Sequence, residues 1–236
     1  MCGRFVLFAT DDLLDHMGAL PGVEEAHAPR NLPPARYNIA PTQVIPIVRL
    51  KEGLAQLDPA RWGLLPHWKK DLDGPPLFNA RAKTVAKKPS FRDAFKAAHN
   101  SGRCLIPMDG YYEWKPEDGG KQPYFVTLGE GKTMWAAGLW ATGMDQLSAT
   151  IVTTAAAEPM DWLHDRLPRF LAPEEMRQWT DGSPEEAAEL LHPAPAELRE
   201  SFHLYAVDKA VGNTRNDYRE LLGDLTDRGN APRNLQ

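Results

Sequence analysis

Apolar and polar positions alternate over much of this chain, and the period is that of strands more than helices. Residues 44–50 read as a strand that turns at Lys51-Glu52-Gly53 and returns over 54–57. Further strand-like runs cover 103–106, 111–114, 124–128, 134–140 and 149–154, separated by Gly, Pro and Asp, with 203–207 as a last strand. Helical signals are fewer. Residues 90–99 read as a helix with Ser90 as N-cap and Asp93 at the third helical position. Residues 172–180 and 183–191 read as helices, each opened by a proline and by acids in its first turn. Prolines within 29–34 and 41–46 mark extended or turning backbone. No internal repeat or long linker divides the chain. The pattern predicts one α+β domain over 1–225, with helices at the sides of the strands and a loose polar tail over 226–236.

Composition adds limits. Of the 236 residues, 42% are hydrophobic and 25% charged, which suits a globular chain able to bury a real core. Two cysteines, Cys2 and Cys104, make neither a disulfide framework nor a zinc site by themselves, so a reduced, cytoplasmic setting is expected. No secretory pattern opens the sequence, and the apolar run 134–140 falls far short of the ~20 residues a membrane span needs, so no membrane partner is expected. The net charge of −5 argues mildly against a general nucleic-acid binder, but its distribution argues the other way. Arg61, Lys69, Lys70, Arg81, Lys83, Lys87, Lys88, Arg92, Lys96 and Arg103 face only Asp71, Asp73 and Asp93, whereas residues 158–200 are acidic. A basic middle and an acidic late segment fit one polyanion-binding face. They also fit two ordinary solvated surfaces.

Candidate chemistry begins at Cys2. Once Met1 is removed, the α-amine and thiol of Cys2 sit on neighbouring carbons and form a trap for aldehydes. The amine gives an imine, the thiol adds to it, and a thiazolidine ring closes. Ordinary pKa values of about 7.7–8.0 and about 8.5 leave both groups partly deprotonated near neutral pH. Other segments join reactive or polar residues to turns and aromatics: Asn79-Ala80-Arg81, Gly110-Tyr111-Tyr112-Glu113-Trp114, His164-Asp165-Arg166, and 61–68 with Trp62 and Trp68. A Glu113 carboxyl held against Tyr112 and Trp114 would have a raised pKa and suit general acid work. Tryptophans near basic residues fit a single-strand binding groove. Each also has a plain structural reading: a turn amide, an exposed strand position, a surface histidine, core tryptophans. No linear signature of a metal site is present, and no cofactor is expected.

The opening Met1-Cys2-Gly3-Arg4-Phe5, the Arg61-Trp62-Gly63-Leu64-Leu65-Pro66 turn, Asn79-Ala80-Arg81, Arg103-Cys104-Leu105-Ile106-Pro107 leading to Gly110-Tyr111-Tyr112-Glu113-Trp114, Thr154-Ala155-Ala156 and His164-Asp165-Arg166-Leu167-Pro168 occur in one order. That ordered set resembles the SOS-response-associated peptidase (SRAP) family of abasic-site processing proteins, over roughly residues 2–217. The resemblance implies a curved, barrel-like, mainly antiparallel sheet and a positive groove for single-stranded DNA. It implies a covalent thiazolidine between Cys2 and the aldehyde of an abasic site, which shields the lesion. Separately, a monomer is expected, nucleoid-associated when DNA is bound. It implies Asn79 as the orienter of the N-terminus or opened sugar and Glu113 as the acid/base. His164 would donate to the sugar oxygen. Arg4, Arg81 and Arg166 would hold phosphates, Trp68 would stack on a base, and Thr154 would line the DNA site. Lys83 stands where the family often has an acid, which affects pairing around Arg81. Two other readings stay open: a cysteine peptidase or amidase using Cys2 and His164, and a non-covalent single-stranded DNA-binding module.

Overall fold

The computed structural model describes residues 2–8, 10–30, 34–129 and 131–225, so the tail expected over 226–236 lies outside the described residues. The strands are β1 (Arg4–Leu7), β2 (Glu25–His27), β3 (Arg36–Ile39), β4 (Val44–Lys51), β5 (Leu54–Trp62), β6 (Asn79–Arg81), β7 (Ser101–Met108), β8 (Gly110–Glu117), β9 (Gly120–Thr127), β10 (Met134–Gly143), β11 (Gln146–Ala155), β12 (Arg166–Pro168) and β13 (His203–Ala206). The helices are α1 (Leu13–Gly18), α2 (Ala82–Val85), α3 (Arg92–Phe95), α4 (Pro173–Thr180), α5 (Pro184–Glu189) and α6 (Ala196–Glu200). None is long and apolar enough to cross a membrane.

The larger sheet runs β12-β11-β10-β7-β4-β5-β2, and β5 also pairs with β11. That extra parallel pairing, Ser148 to Arg61 and Ala149 to Trp62, closes β11, β10, β7, β4 and β5 into a ring. Closure removes the open edges of the central strands. It also explains β7, which is buried at every position: one face lines the ring and α3 and α4 cover the other. The smaller sheet, β13-β9-β8-β1-β3, is antiparallel throughout. The curved α+β architecture expected from the sequence is thus present.

The hairpin expected at 51–53 forms, with Glu52 (φ 50°) and Gly53 (φ 84°) supplying the two left-handed positions of a two-residue turn. Its second strand continues to Trp62. Within it Pro59 faces Pro46 across the ladder, a pair in which neither residue has an N–H to offer. The helix expected over 90–99 shrinks to α3. Its N-cap is Phe91, not Ser90, and the chain turns out of the helix through Ala97, His99 and Asn100, all at positive φ. Phe91, Ala94 and Phe95 are buried, so packing and the start of β7 at Ser101 override the longer helical pattern. Ser183 does cap α5 by accepting from the Glu186 N–H at 3.1 Å.

The main core joins the two sheets. Phe5 of β1 meets Trp62 of β5 edge to face at 5.1 Å, and the Trp62 indole N–H donates to the Phe78 carbonyl at 2.9 Å. Trp62 is therefore a core residue, not a stacking platform. Two cations are buried as well. Arg169 makes a bidentate pair with Glu175, at 2.6 Å and 3.1 Å, and donates to the carbonyls of Leu190 and Phe170. Arg103 donates to the carbonyls of Trp179, Phe95 and Gly182. Arg103 thus leaves the basic cluster counted from the sequence: its charge is satisfied inside the fold.

Candidate active site

Cys2 lies immediately before β1, at the seam between the two sheets. Its side chain is fully buried, and its thiol donates to the Arg4 carbonyl at 3.8 Å. Burial pushes the thiol pKa well up, and the nearby Glu113 carboxylate pushes it further. The thiol is therefore held protonated at neutral pH.

Glu113 and Cys2 meet because β8 pairs with β1, Arg4 opposite Tyr112 and Phe5 opposite Tyr111. Glu113 is 2% exposed, and its Oε1 accepts from the Trp114 N–H at 3.2 Å. The expected pocket between Tyr112 and Trp114 is not what holds it. Side chains alternate along a strand, so Tyr112 and Trp114 share the opposite face, with ring centroids 6.5 Å apart in a separate cluster around Phe125 and Val207. Glu113 shares its face with Tyr111. The Tyr111 hydroxyl is buried with no hydrogen-bond partner among the described residues. Its pKa is driven far up by burial, then by Cys2 and Glu113. The motif contained Tyr111, but nothing in sequence distinguished it from Tyr112; only the register of β8 against β1 does.

Asn79 comes from the other sheet. It is the first residue of β6, which pairs in parallel with β11: Ile151 to Asn79, Val152 to Ala80, Thr153 to Arg81. Its Nδ2 donates to the Cys2 carbonyl at 2.7 Å, while its Oδ1 is buried with no hydrogen-bond partner among the described residues. Asn79 and Arg81 lie on the same face of β6, about 7 Å apart along the strand, with buried Ala80 between them on the other face.

Arg81 opens onto a groove of about 580 Å³ lined by Lys83, Thr153, Thr154, Arg166 and His192 among others. Strand β12 reaches it by pairing with the end of β11, Thr154 to Leu167 and Ala155 to Arg166. One strand thus brings Arg81, Thr154 and Arg166 together along one groove. Lys83 adds a third cation beside them, against the single acid Asp165. Arg166 Nη1 is buried without a hydrogen-bond partner among the described residues, and Nε lies 3.8 Å from Asp165.

His164 sits at the entry to β12. Its Nδ1 is 3.0 Å from the Arg166 backbone N–H and 2.6 Å from Asp165 Oδ1. One nitrogen cannot accept from the first and donate to the second at once: with the proton on Nε2 it accepts from the Arg166 N–H, and with a proton on Nδ1 it donates to Asp165.

Two expected DNA contacts are placed differently. Arg4 is tied into the fold: Nη1 donates to Asn38 Oδ1 at 3.0 Å and to the Val211 carbonyl at 2.7 Å, and Nη2 to the Gly212 carbonyl at 3.2 Å. Its guanidinium also lies 5.7 Å from the Trp114 ring centroid. Trp68 is 48% exposed on the segment between β5 and β6, and it does not line the groove.

Fold and site together define an α+β protein that buries Cys2 beside a carboxylate and a carboxamide, next to a cationic groove. The SOS response associated peptidase (SRAP) family profile matches residues 1–214, and the chain belongs to that family. It is 33% identical to the abasic site processing protein YedK of Escherichia coli (strain K12), covering 94% of this chain and 99% of the relative. It is 36% identical to the abasic site processing protein YoaM of Bacillus subtilis (strain 168), covering 94% and 97%. A crystal structure of a Bordetella bronchiseptica protein has the same fold at a TM-score of 0.71 and 21% identity, covering 88% of this chain and all (100%) of that one. A phage-related protein from the same organism aligns at a TM-score of 0.66 and 28% identity, covering 88% and 95%.

Proposed function

We propose that this protein binds abasic sites in single-stranded DNA and, after loss of Met1, joins itself to them through a thiazolidine at Cys2. The observation that carries the reading is the Asn79 amide. One end grips the Cys2 carbonyl, and the other end is a buried acceptor with no partner among the described residues. A buried acceptor left empty costs about 1–3 kcal/mol. A free α-amine on Cys2 supplies the missing donor and is thereby aimed. The names of the relatives support the same substrate class.

The order of steps follows from the thiol. Burial and Glu113 keep it protonated, so the α-amine attacks first. The amine nitrogen adds to the aldehyde carbon of the opened sugar and gives a carbinolamine. Glu113 carries the remaining nitrogen proton to the departing hydroxyl, water leaves, and a neutral imine remains, with Glu113 again a carboxylate. The sulfur then adds to the imine carbon. The thiol proton passes by way of Glu113 to the nitrogen, so the ring closes with one water as by-product. His164, in the tautomer that carries its proton on Nε2, donates to a sugar oxygen. Arg81, Lys83 and Arg166 hold flanking phosphates, with Thr154 between them. A peptidase mechanism needs a thiolate, and a buried thiol facing a carboxylate disfavours one.

Intact mass after incubation with abasic single-stranded DNA tests the proposal. The expected product lacks Met1 and carries the DNA less one water, and it survives without a reductant. An N-terminal extension should abolish it. A tagged N-terminus that crosslinks at normal yield would overturn the mechanism.

A further inference from the structure

The described residues contain one cluster of metal-ligating side chains, drawn from three separate segments of the chain. His67 lies in the turn after β5, Asp93 in α3 and His99 in the turn before β7. Their ligand atoms all lie within 4.8 Å of one another. The two imidazoles stack with centroids 4.4 Å apart and planes inclined by 29°. Asp93 Oδ2 is 3.7 Å from His67 Nδ1, while Oδ1 faces Arg92 Nε at 3.4 Å.

From this juxtaposition we infer that His67, Asp93 and His99 form a binding site for a divalent transition metal of the zinc class. Two imidazoles and one carboxylate are the donor set such ions select over calcium and magnesium, which favour oxygen alone. Three protein ligands leave a fourth position open to water. Bonds of about 2.0–2.2 Å place donors of a tetrahedral ion roughly 3.4 Å apart, so the present cluster must contract by about 1.5 Å at most. Side-chain rotation can supply this, because His67 and Asp93 are 40% and 23% exposed. Arg92 stays on the carboxylate oxygen that the metal does not use and orients it. The backbone of the site is already held, with the Ala98 N–H donating to the Asp93 carbonyl at 2.9 Å. A bound ion would tie the turn carrying exposed Trp68 to the start of β7. Short linear spacings carry no signal of this cluster, because its ligands come from three separate segments.

Titration with Co²⁺ alone, read by its visible d–d absorption, tests the site. The full chain is used with Cys2→Ala, since a free aminothiol at the N-terminus is itself a chelator. One equivalent should bind. His67→Gln and His99→Asn should each weaken binding by at least about 10–100-fold, the loss seen when only an outer partner is removed. Asparagine suits position 99, because it tolerates the left-handed backbone there. Zn²⁺ should displace the Co²⁺ signal and raise Tm in the parent but in neither histidine variant, while near-UV circular dichroism shows all three folded. Absence of a band in the Cys2→Ala protein overturns the inference. So does a band that survives the His67→Gln/His99→Asn double substitution.

Discussion

A buried thiol beside a carboxylate keeps its proton, and that single relation between Cys2 and Glu113 fixes what each can do. Glu113→Gln should slow crosslink formation and reversal together, by about 10²–10⁴-fold, because the same proton moves in both directions. Non-covalent affinity for DNA should stay within twofold or so, since the groove cations Arg81, Lys83 and Arg166 lie on other elements. Single-turnover rates in both directions check this, and normal rates would move the acid/base role to His164. Tyr111 offers a contrast on the same face. Its hydroxyl is buried with no hydrogen-bond partner among the described residues, so Tyr111→Phe should stabilise the fold by about 1 kcal/mol if the hydroxyl has no reaction partner. Denaturant melts give the stability, and the crosslinking rate of the same variant reports the other duty. A gain in stability with a loss in rate would place the Tyr111 hydroxyl among the groups that move the thiol proton.

Strands decide which arginines face the groove and which serve the fold. Arg4 on β1 donates to Asn38, Val211 and Gly212, and Asn38 is itself fully buried with three backbone acceptors of its own. Arg4→Ala should therefore cost about 2 kcal/mol, a fall in Tm of about 4–8 °C. Arg81 at the end of β6 is exposed, and Arg81→Ala should leave stability within about 0.5 kcal/mol. It should instead flatten the slope of log affinity against log salt by about 0.7. Anisotropy in a salt series, run beside thermal melts, separates the two; a salt effect from Arg4→Ala as large as that from Arg81→Ala would erase the distinction. The sequence carried much of this arrangement and lost the rest for identifiable reasons. Short apolar runs bounded by Gly, Pro and Asp marked β4, β7, β8 and β11, because strands buried on both faces read as continuous rather than alternating runs. The β5–β11 pairing that closes the ring left no trace, because parallel pairing across such a separation has no local signal. Asn79, Arg81, Glu113, His164 and Arg166 stood out through a family resemblance in ordered motifs. The placement of Glu113 on the Tyr111 face, and of Arg4 on carbonyls 207 residues away, needed the register and the tertiary contacts.

At the scale of the whole molecule, the fold encloses several groups that ionise in alkali. Cys104 on β7 and Cys2 at the seam are both fully buried, and burial is the main cause that raises each thiol pKa. Glu113 adds to the shift at Cys2, whereas at Cys104 the nearby Arg49 partly offsets it. Tyr111 and Tyr112 are raised in the same way, by burial first. A group whose folded pKa lies above its unfolded value contributes stability that is complete below the unfolded pKa. That stability is lost as pH climbs through the window between the two values. For the thiols the window opens above about pH 8.5, for the phenols above about pH 10. While a thiol stays protonated in the fold and ionises in the unfolded chain, stability falls by about 1.4 kcal/mol per pH unit for each one. Urea melts between pH 7 and pH 10 should thus be flat at first and then slope downward with two thiols contributing. Cys104→Ala lowers stability at every pH, because it leaves a cavity beside Gly138, whose added Cβ would lie 2.9 Å from the sulfur. What distinguishes the linkage is the slope above about pH 9, which should drop to roughly half in Cys104→Ala. Curves for parent and variant that run parallel across that range would show that the Cys104 thiol ionises as readily in the fold as in the unfolded chain.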